Sequence, residues 1–317
     1  MERVGHLTEL VRIERWRSLL PRTPDPEVAA AEGVAPHLRS KGWLRRNVLP
    51  LLPHDLRRQV YRLAKPGYFG QLQGLRLHEA TPDAGYSYRS FDETQSIFVH
   101  IPKAAGVSIC LSLYGHLAGG HTRIADYEVT FPRECFNSYF KFTFVRNPWD
   151  RIFSAYHFLK RGGMTAEDRR WSEEILSAVP SFRDFLLGWL DESKLCSIVH
   201  LVPQIEFMRA YNGKTVPLDF IGLYENIASD FDRVRVMVSG ATRLMHVNRT
   251  NADEGKRDYR NQFDAEMIQM VAKLYAEDIR YLRYTFDNSE LAQQVMLREQ
   301  GELLSGWPKR PRFNRGG

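Results

Sequence analysis

Three observations predict an α/β fold, a three-layer sandwich with a central parallel sheet flanked by helices. Two stretches share one grammar of buried strand, abrupt polar loop and helix, at Ser96 to Leu113 and Phe140 to Leu159. A third short apolar run, Phe220 to Leu223, follows them. The 317 residues, 43% hydrophobic and 26% charged, suit one such domain with an appendage rather than a disordered chain.

In the first stretch, SIFVHIPKAAGVSICLSL, Ile97, Phe98, Val99 and Ile101 form the near-continuous apolar run of a parallel strand covered on both faces. Pro102 ends it. Ala104, Ala105 and Gly106 are small enough for a ligand to approach the backbone, and Val107, Ile109, Leu111 and Leu113 begin a helix. The first N–H groups of a helix lack internal partners, so with the dipole and the Lys103 ammonium they make an anion site. Taken alone the stretch reads equally well as an ordinary strand-to-helix turn with a solvated lysine. The second stretch breaks the tie: Phe142, Phe144 and Val145 form a strand, Arg146 stands at its carboxyl end, and Ile152, Phe153, Ala155, Tyr156 and Leu159 give a helical apolar face. Ligands of open α/β sheets bind beyond the carboxyl ends of the strands, so Lys103 and Arg146 are expected to converge on one rim and take a ligand with two anionic groups.

The segments HIPKAAGVSI and FTFVRNPWDRIFSAY resemble the two cofactor signatures of sulfotransferases that use 3′-phosphoadenosine 5′-phosphosulfate, in the carbohydrate branch that includes heparan and chondroitin enzymes and many bacterial homologues. The resemblance implies a P-loop-like domain and a sulfotransferase activity of bacterial type. It assigns the 5′-phosphosulfate to Pro102, Lys103, Ala104, Ala105, Gly106, Val107 and Ser108, and the 3′-phosphate to Arg146 and Ser154. Weaker resemblance continues through DFIGLYEN, HVNRT and VAKLYAEDIRYLRYTF, and gives Arg249 and Thr250 of HVNRT a place over the nucleotide. Ala104, Ala105 and Val107 depart from the threonine, serine and glycine usual in the family, which removes two hydroxyl donors and leaves the cradle to backbone N–H groups. A nucleotide kinase is the other phosphate-binding relative to weigh, but the loop lacks GxxxxGK[ST] and places no hydroxyl on magnesium. No metal is expected.

Sulfuryl transfer needs an in-line approach and charge stabilisation, and the attacking hydroxyl benefits from a general base. Lys103 is the group that neutralises the leaving oxygen. Of ten histidines, His121 is the candidate base: it lies between the two cofactor strands, where related enzymes place theirs, and Gly119 and Gly120 read as a flexible loop that presents it. His116, His157 and His200 are its rivals, Glu128 the carboxylate alternative, and His100 within the strand reads as structural. The acceptor is expected to be a hydroxyl of a carbohydrate, glycolipid or related molecule. The alternative from a different class is a degenerate nucleotide-binding or membrane-docking interaction protein of the same fold.

Residues 1–90 carry 15 Lys and Arg against 9 Asp and Glu, whereas the remainder is balanced at 29 each, so the net charge of +6 comes from the N-terminal segment. The expected organisation is a basic, partly helical extension over 1–90, a sulfotransferase domain over 91–304 and a flexible basic tail over 305–317. Within the extension, Leu56, Val60 and Leu63 recur at helical spacing beside Arg57, Arg58 and Arg62. Such a helix docks on anionic lipid or, more commonly, packs on its own domain. Nucleic acid is not an expected partner. Cys110, Cys135 and Cys196 form no CxxC pair and fit a reducing compartment, and neither a membrane-crossing run nor a signal-peptide core is visible, which together read as cytoplasmic, peripheral to a membrane at most. Further on, Ser181 and Asp184 have capping-box spacing, and Asp264 heads one long helix with Met267, Ile268, Val271, Leu274, Tyr275 and Leu282 on one face.

Overall fold

The computed structural model describes residues 49–79, 86–212, 216–238, 244 and 258–304. Three parallel strands, β1 (Ser96–Val99), β2 (Phe140–Val145) and β3 (Phe220–Leu223), form one open sheet in the order β1-β2-β3. The register pairs Ser96 with Phe140 and Phe142 with Phe220. All of β1, and all of β2 and β3 except Phe140 and Phe220, are buried, as an apolar run without alternation requires when helices cover both faces. The expected α/β three-layer fold is the one observed.

Helices α1 (His54–Ala64), α2 (Pro66–Leu77) and α3 (Arg89–Thr94) precede β1. They belong to the same core, since Tyr61, Phe69, Leu72 and Phe91 join the cluster that contains the strands. Two of the three arginines of α1, Arg57 and Arg58, turn inward, and Arg62 is exposed. Arg57 is buried, donates to Glu128 Oε1 at 2.7 Å and to the Leu49 and Leu52 carbonyls, while Arg58 donates to the Val129 carbonyl. The apolar side chains Leu56 and Leu63 are exposed. Helix α1 thus packs on the domain through Tyr61 together with Arg57 and Arg58.

Between β1 and β2 run α4 (Gly106–Tyr114), α5 (Ile124–Thr130) and α6 (Arg133–Ser138). The last two have no periodic signature in the sequence. They are short helices held by burial of Ile124, Tyr127, Val129 and Phe136 in the common core. After β2 come α7 (Pro148–Lys160), begun by Pro148 and capped by the Asn147 side chain on Trp149 N–H, and α8 (Ala166–Ile175), closed by a reciprocal capping box between Thr165 and Asp168. Ser181 and Asp184 do bond as their spacing predicts, ahead of a π-helical turn over Asp184–Trp189.

The short α9 (Ile205–Met208) leads towards β3, which is followed by α10 (Ile227–Met237). Asp264 caps the next helix through Met267 N–H, but the single long helix expected here is two: α11 (Ala265–Leu274) and α12 (Ala276–Leu282). The break falls at Tyr275, whose hydroxyl donates to the Leu201 carbonyl. Buried Asp278 accepts the backbone N–H groups of Gln204 and Ile205, so the break and the helix after it are both tied to the segment around Leu201 to Ile205. Helix α13 (Leu291–Glu299) follows. Among the described residues no helix is long and apolar enough to cross a membrane.

The buried Arg57–Glu128 pair is what fastens α1 to α5. Removing one partner leaves an uncompensated buried charge, so Glu128→Ala should cost about 3–5 kcal/mol of stability, read as a lower urea midpoint.

Candidate functional site

Lys103 and Arg146 follow the carboxyl ends of β1 and β2. In the first loop the backbone is left-handed at Lys103 (φ 67°) and Ala105 (φ 65°), a conformation that costs a residue with a Cβ about 1–3 kcal/mol each and persists only where the surroundings enforce it. No side chain caps α4, so its first turn stays open to an anion. Two arginines from the second stretch enforce the loop. Arg146 donates through Nη1 to the Lys103 carbonyl at 3.1 Å, and fully buried Arg151 donates to the carbonyls of Pro102, His200 and Val202 at 3.4, 3.3 and 2.6 Å.

Arg146 is itself held from several sides. Its Nε and Nη2 donate to the two Asp150 oxygens at 2.7 Å each, its guanidinium lies 4.1 Å from the Tyr224 ring centre, and its backbone exchanges hydrogen bonds with the Gln204 amide. A guanidinium has five N–H donors, and Asp150 and Lys103 take three, which leaves two for an anion. Ser154 is half-buried on α7, eight residues after Arg146.

The Lys103 ammonium rests 3.9 Å from the centre of the Phe158 ring. Burial, assisted by Arg146 and Arg161, lowers its pKa to about 7. Phe158 also lines a cavity of about 60 Å³, together with Tyr86, Val107, Thr165, Glu167 and the histidines His100, His121 and His200. The three rings are contiguous: His100 and His121 lie 4.4 Å apart between centroids, His121 and His200 5.6 Å. Sequence spacing does not show this, because 100 residues separate the first ring from the last.

His121 therefore stands at the rim, but on different terms from those expected. The loop that carries it is packed, not flexible. A Cβ on Gly119 would lie 1.8 Å from the Tyr127 hydroxyl, and Gly120 (φ 54°) has Tyr86 against it, so these glycines permit close approach. Gly106 is small for a similar reason: the His100 ring occupies the space a side chain would take, at 1.7 Å from an added Cβ. The His121 Nδ1–H donates to the His100 carbonyl at 3.3 Å, which leaves Nε2 as the lone-pair nitrogen of a base. Burial drives its pKa down to about 3.

Of the rivals, His116 accepts the Ala118 N–H as a local turn bond, and His157 packs edge-on to Phe153 and Tyr156 on α7. Only His200 joins the cavity. Its Nε2–H donates to Asp168 at 3.0 Å, and that contact helps hold the Asp168 carboxyl at about 2. Glu128 is committed to Arg57 and the Tyr211 N–H. Arg249 and Thr250, like the whole HVNRT segment, lie outside the described residues. Sequence reasoning missed Phe158, Asp168 and Arg151. Two signals were available: an arginine inside the apolar face of α7, and the Thr165 and Asp168 capping spacing.

The model of the sulfotransferase family matches residues 90–285, which span both loops, the histidine cavity and β3. The chain belongs to the sulfotransferase family. Comparison with curated proteins and with solved structures gives no match. The residues present fit the phosphosulfate donor that family membership implies, on three observations: an uncapped helix start behind a strained loop, a buried lysine in that loop whose charge has no carboxylate partner among the described residues, and an arginine with two N–H donors to spare. Among the described residues no group of three or more His, Cys, Asp or Glu is placed to hold a metal ion.

Two pH effects follow. A Lys103 that titrates near 7 is largely neutral at pH 8, and an anion beside it favours the charged form, so nucleotide binding at pH 8 should take up protons and at pH 6 should not. Calorimetry in buffers of differing ionisation heat reads this directly. His121 stays neutral well below the usual histidine range, so turnover should hold as pH falls through 6 to 7. A loss centred there in a pH–rate profile would assign the base elsewhere.

Proposed function

We propose that this protein transfers a sulfuryl group from 3′-phosphoadenosine 5′-phosphosulfate to a hydroxyl of a carbohydrate, glycolipid or related acceptor. The observation that carries the reading is the direct link between the two anion-binding elements, Arg146 Nη1 to the Lys103 carbonyl, beside a cavity walled by imidazoles. When bound, the donor supplies an activated sulfuryl group on a phosphate leaving group. The chain's residues supply the rest. Lys103 and the first N–H groups of α4 hold the 5′ end and meet the negative charge that grows on the bridging oxygen. Arg146 and Ser154 hold the 3′-phosphate. His121 Nε2 accepts the proton of the attacking hydroxyl, and the surrounding apolar walls, Phe158 and Val107 among them, keep water from competing.

At about 60 Å³ the cavity is far smaller than the ~300–1,000 Å³ of a pocket that encloses a whole ligand, so it receives the reacting hydroxyl while the body of the acceptor stays outside. This agrees with an acceptor of some size, as a sugar chain or glycolipid would be.

Arg146→Ala should weaken binding of 3′-phosphoadenosine 5′-phosphate by roughly 1.5–3 kcal/mol, the worth of a charge-assisted contact. Adenosine 5′-phosphosulfate, which has no 3′-phosphate, should lose less, because only the support of the loop at Lys103 is affected. Calorimetry with both ligands in the presence of a chelator tests this and the metal independence of binding; equal losses, or a need for magnesium, would contradict the assignment. Transfer itself is tested with labelled donor and a panel of sugars and glycolipids.

A further inference from the structure

The pair formed by Asp168 and His200 is built more carefully than packing requires. Both side chains are buried, His200 to 6% and Asp168 to 4% exposure, in the wall of the imidazole cavity. Asp168 spends one oxygen, Oδ2, on the Met164 and Thr165 N–H groups at the start of α8 and the other, Oδ1, on His200 Nε2–H. The Phe158 ring lies edge-on to His200 at 4.8 Å, and the Arg151 guanidinium holds the His200 carbonyl. His200 Nδ1 is left buried with no hydrogen-bond partner among the described residues. His100 Nδ1 and Arg151 Nε are likewise buried without a partner among the described residues, so unsatisfied polar atoms concentrate in and beside the wall of the cavity.

A buried imidazole that gains a proton becomes a buried cation and needs a counter-charge. His121 has a backbone carbonyl on Nδ1, which orients it but carries no charge. Around it stand Lys103, which is cationic once an anion lies beside it, the neutral His100, the half-buried Glu167 carboxyl at the cavity wall, and the His200–Asp168 pair at 5.6 Å between rings. Burial works most against protonation of His121, and His200 and Lys103 add to this, whereas the His100 carbonyl and Asp168 work for it, so Asp168 is the member of the pair that favours the charge.

Resting on the sulfuryl-transfer reading, we propose that Asp168 and His200 are positioning residues for the proton transfer. Asp168 fixes His200 with its proton on Nε2, and the pair stabilises the imidazolium that forms on His121. In the step, the acceptor oxygen forms its bond to sulfur as its proton moves to His121 Nε2. The bond from sulfur to the bridging oxygen of the 5′-phosphate breaks, and its electron pair leaves with the phosphate, beside Lys103. The Asp168 carboxylate balances the new charge on His121 across the His200 ring.

Asp168→Asn tests the assignment in the full chain. The amide oxygen can keep the Met164 and Thr165 bonds while its NH₂ faces His200, which obliges His200 to move its proton to Nδ1. Nitrogen NMR of histidine-labelled protein without nucleotide should show the Nε2–H form of His200 in wild type and the Nδ1–H form in the variant. Turnover should fall about tenfold or more with acceptor KM and nucleotide Kd little changed, and the acid limb of the pH–rate profile should move to lower pH, because His121 has lost its counter-charge. His200→Gln, whose amide can reach Asp168, should retain more turnover than His200→Ala.

Wild-type turnover and an unshifted limb in Asp168→Asn would overturn the inference, as would a loss explained wholly by a lower melting temperature. A wild type with the Nδ1–H form of His200 would overturn it as well. Absence of transfer by the wild type would instead refute the proposed function and this role with it, a result distinct from a wild type that transfers and a variant that does so equally.

Discussion

The left-handed backbone at Lys103 and Ala105 is the constraint on which the rest of the site depends. Neither residue is a glycine, so the loop would relax if nothing held it. It is held by arginines from the second strand-loop-helix unit, Arg146 on the Lys103 carbonyl and Arg151 on the Pro102 carbonyl. The parallel pairing of β1 with β2, Ser96 opposite Phe140, sets the two units side by side so that these bonds can form. The strain is thus stored at the loop after β1 and is offset by contacts from the loop and helix after β2.

A second consequence concerns charge. Arg151 is fully buried, yet it donates only to carbonyls and lies 5.6 Å from the Tyr275 ring centre. The same carbonyl contacts fix the segment that carries His200, so one guanidinium joins the phosphate loop to the wall of the imidazole cavity. Lys103 shares this low-dielectric setting. Its depressed pKa is the cost of placing a cation against Phe158 and near Arg146 before any anion arrives. A bound phosphate removes that cost, which makes affinity for anions and a destabilised resting lysine two expressions of one arrangement.

The histidines obey the same physics. Packing three imidazoles around a small cavity keeps them neutral, because burial strips each protonated ring of water, and neighbouring rings or, for His200, Lys103 and Arg151 would repel it. Neutral rings are what a proton acceptor requires. Their weakness as bases has to be offset when the proton arrives, and Asp168 is the fully buried carboxylate in that wall.

The sequence by itself determined the strands, the two loops and the cations at their ends, because these depend on local patterns: apolar runs, a proline and a basic residue at a strand's carboxyl end. Phe220 to Leu223 is the third strand as read. It also carried the resemblance that the match over residues 90–285 bears out for the family. Tertiary structure decided what the local pattern leaves undetermined. The two glycines before His121 read as freedom and are close packing against Tyr127 and Tyr86. Short α5 and α6 have no periodic signature, since helices of one or two turns buried in a common core need no amphipathic stripe. The long helix expected from Asp264 breaks at Tyr275, where Tyr275 and Asp278 bond to the segment around Leu201 to Ile205, partners distant in sequence. Above all, the meeting of His100, His121, His200 and Asp168 could not be read along the chain. Their proximity follows from the parallel order of the sheet and the packing of α8 beside it, and the direction in which burial moves each pKa depends on neighbours that only the folded chain supplies.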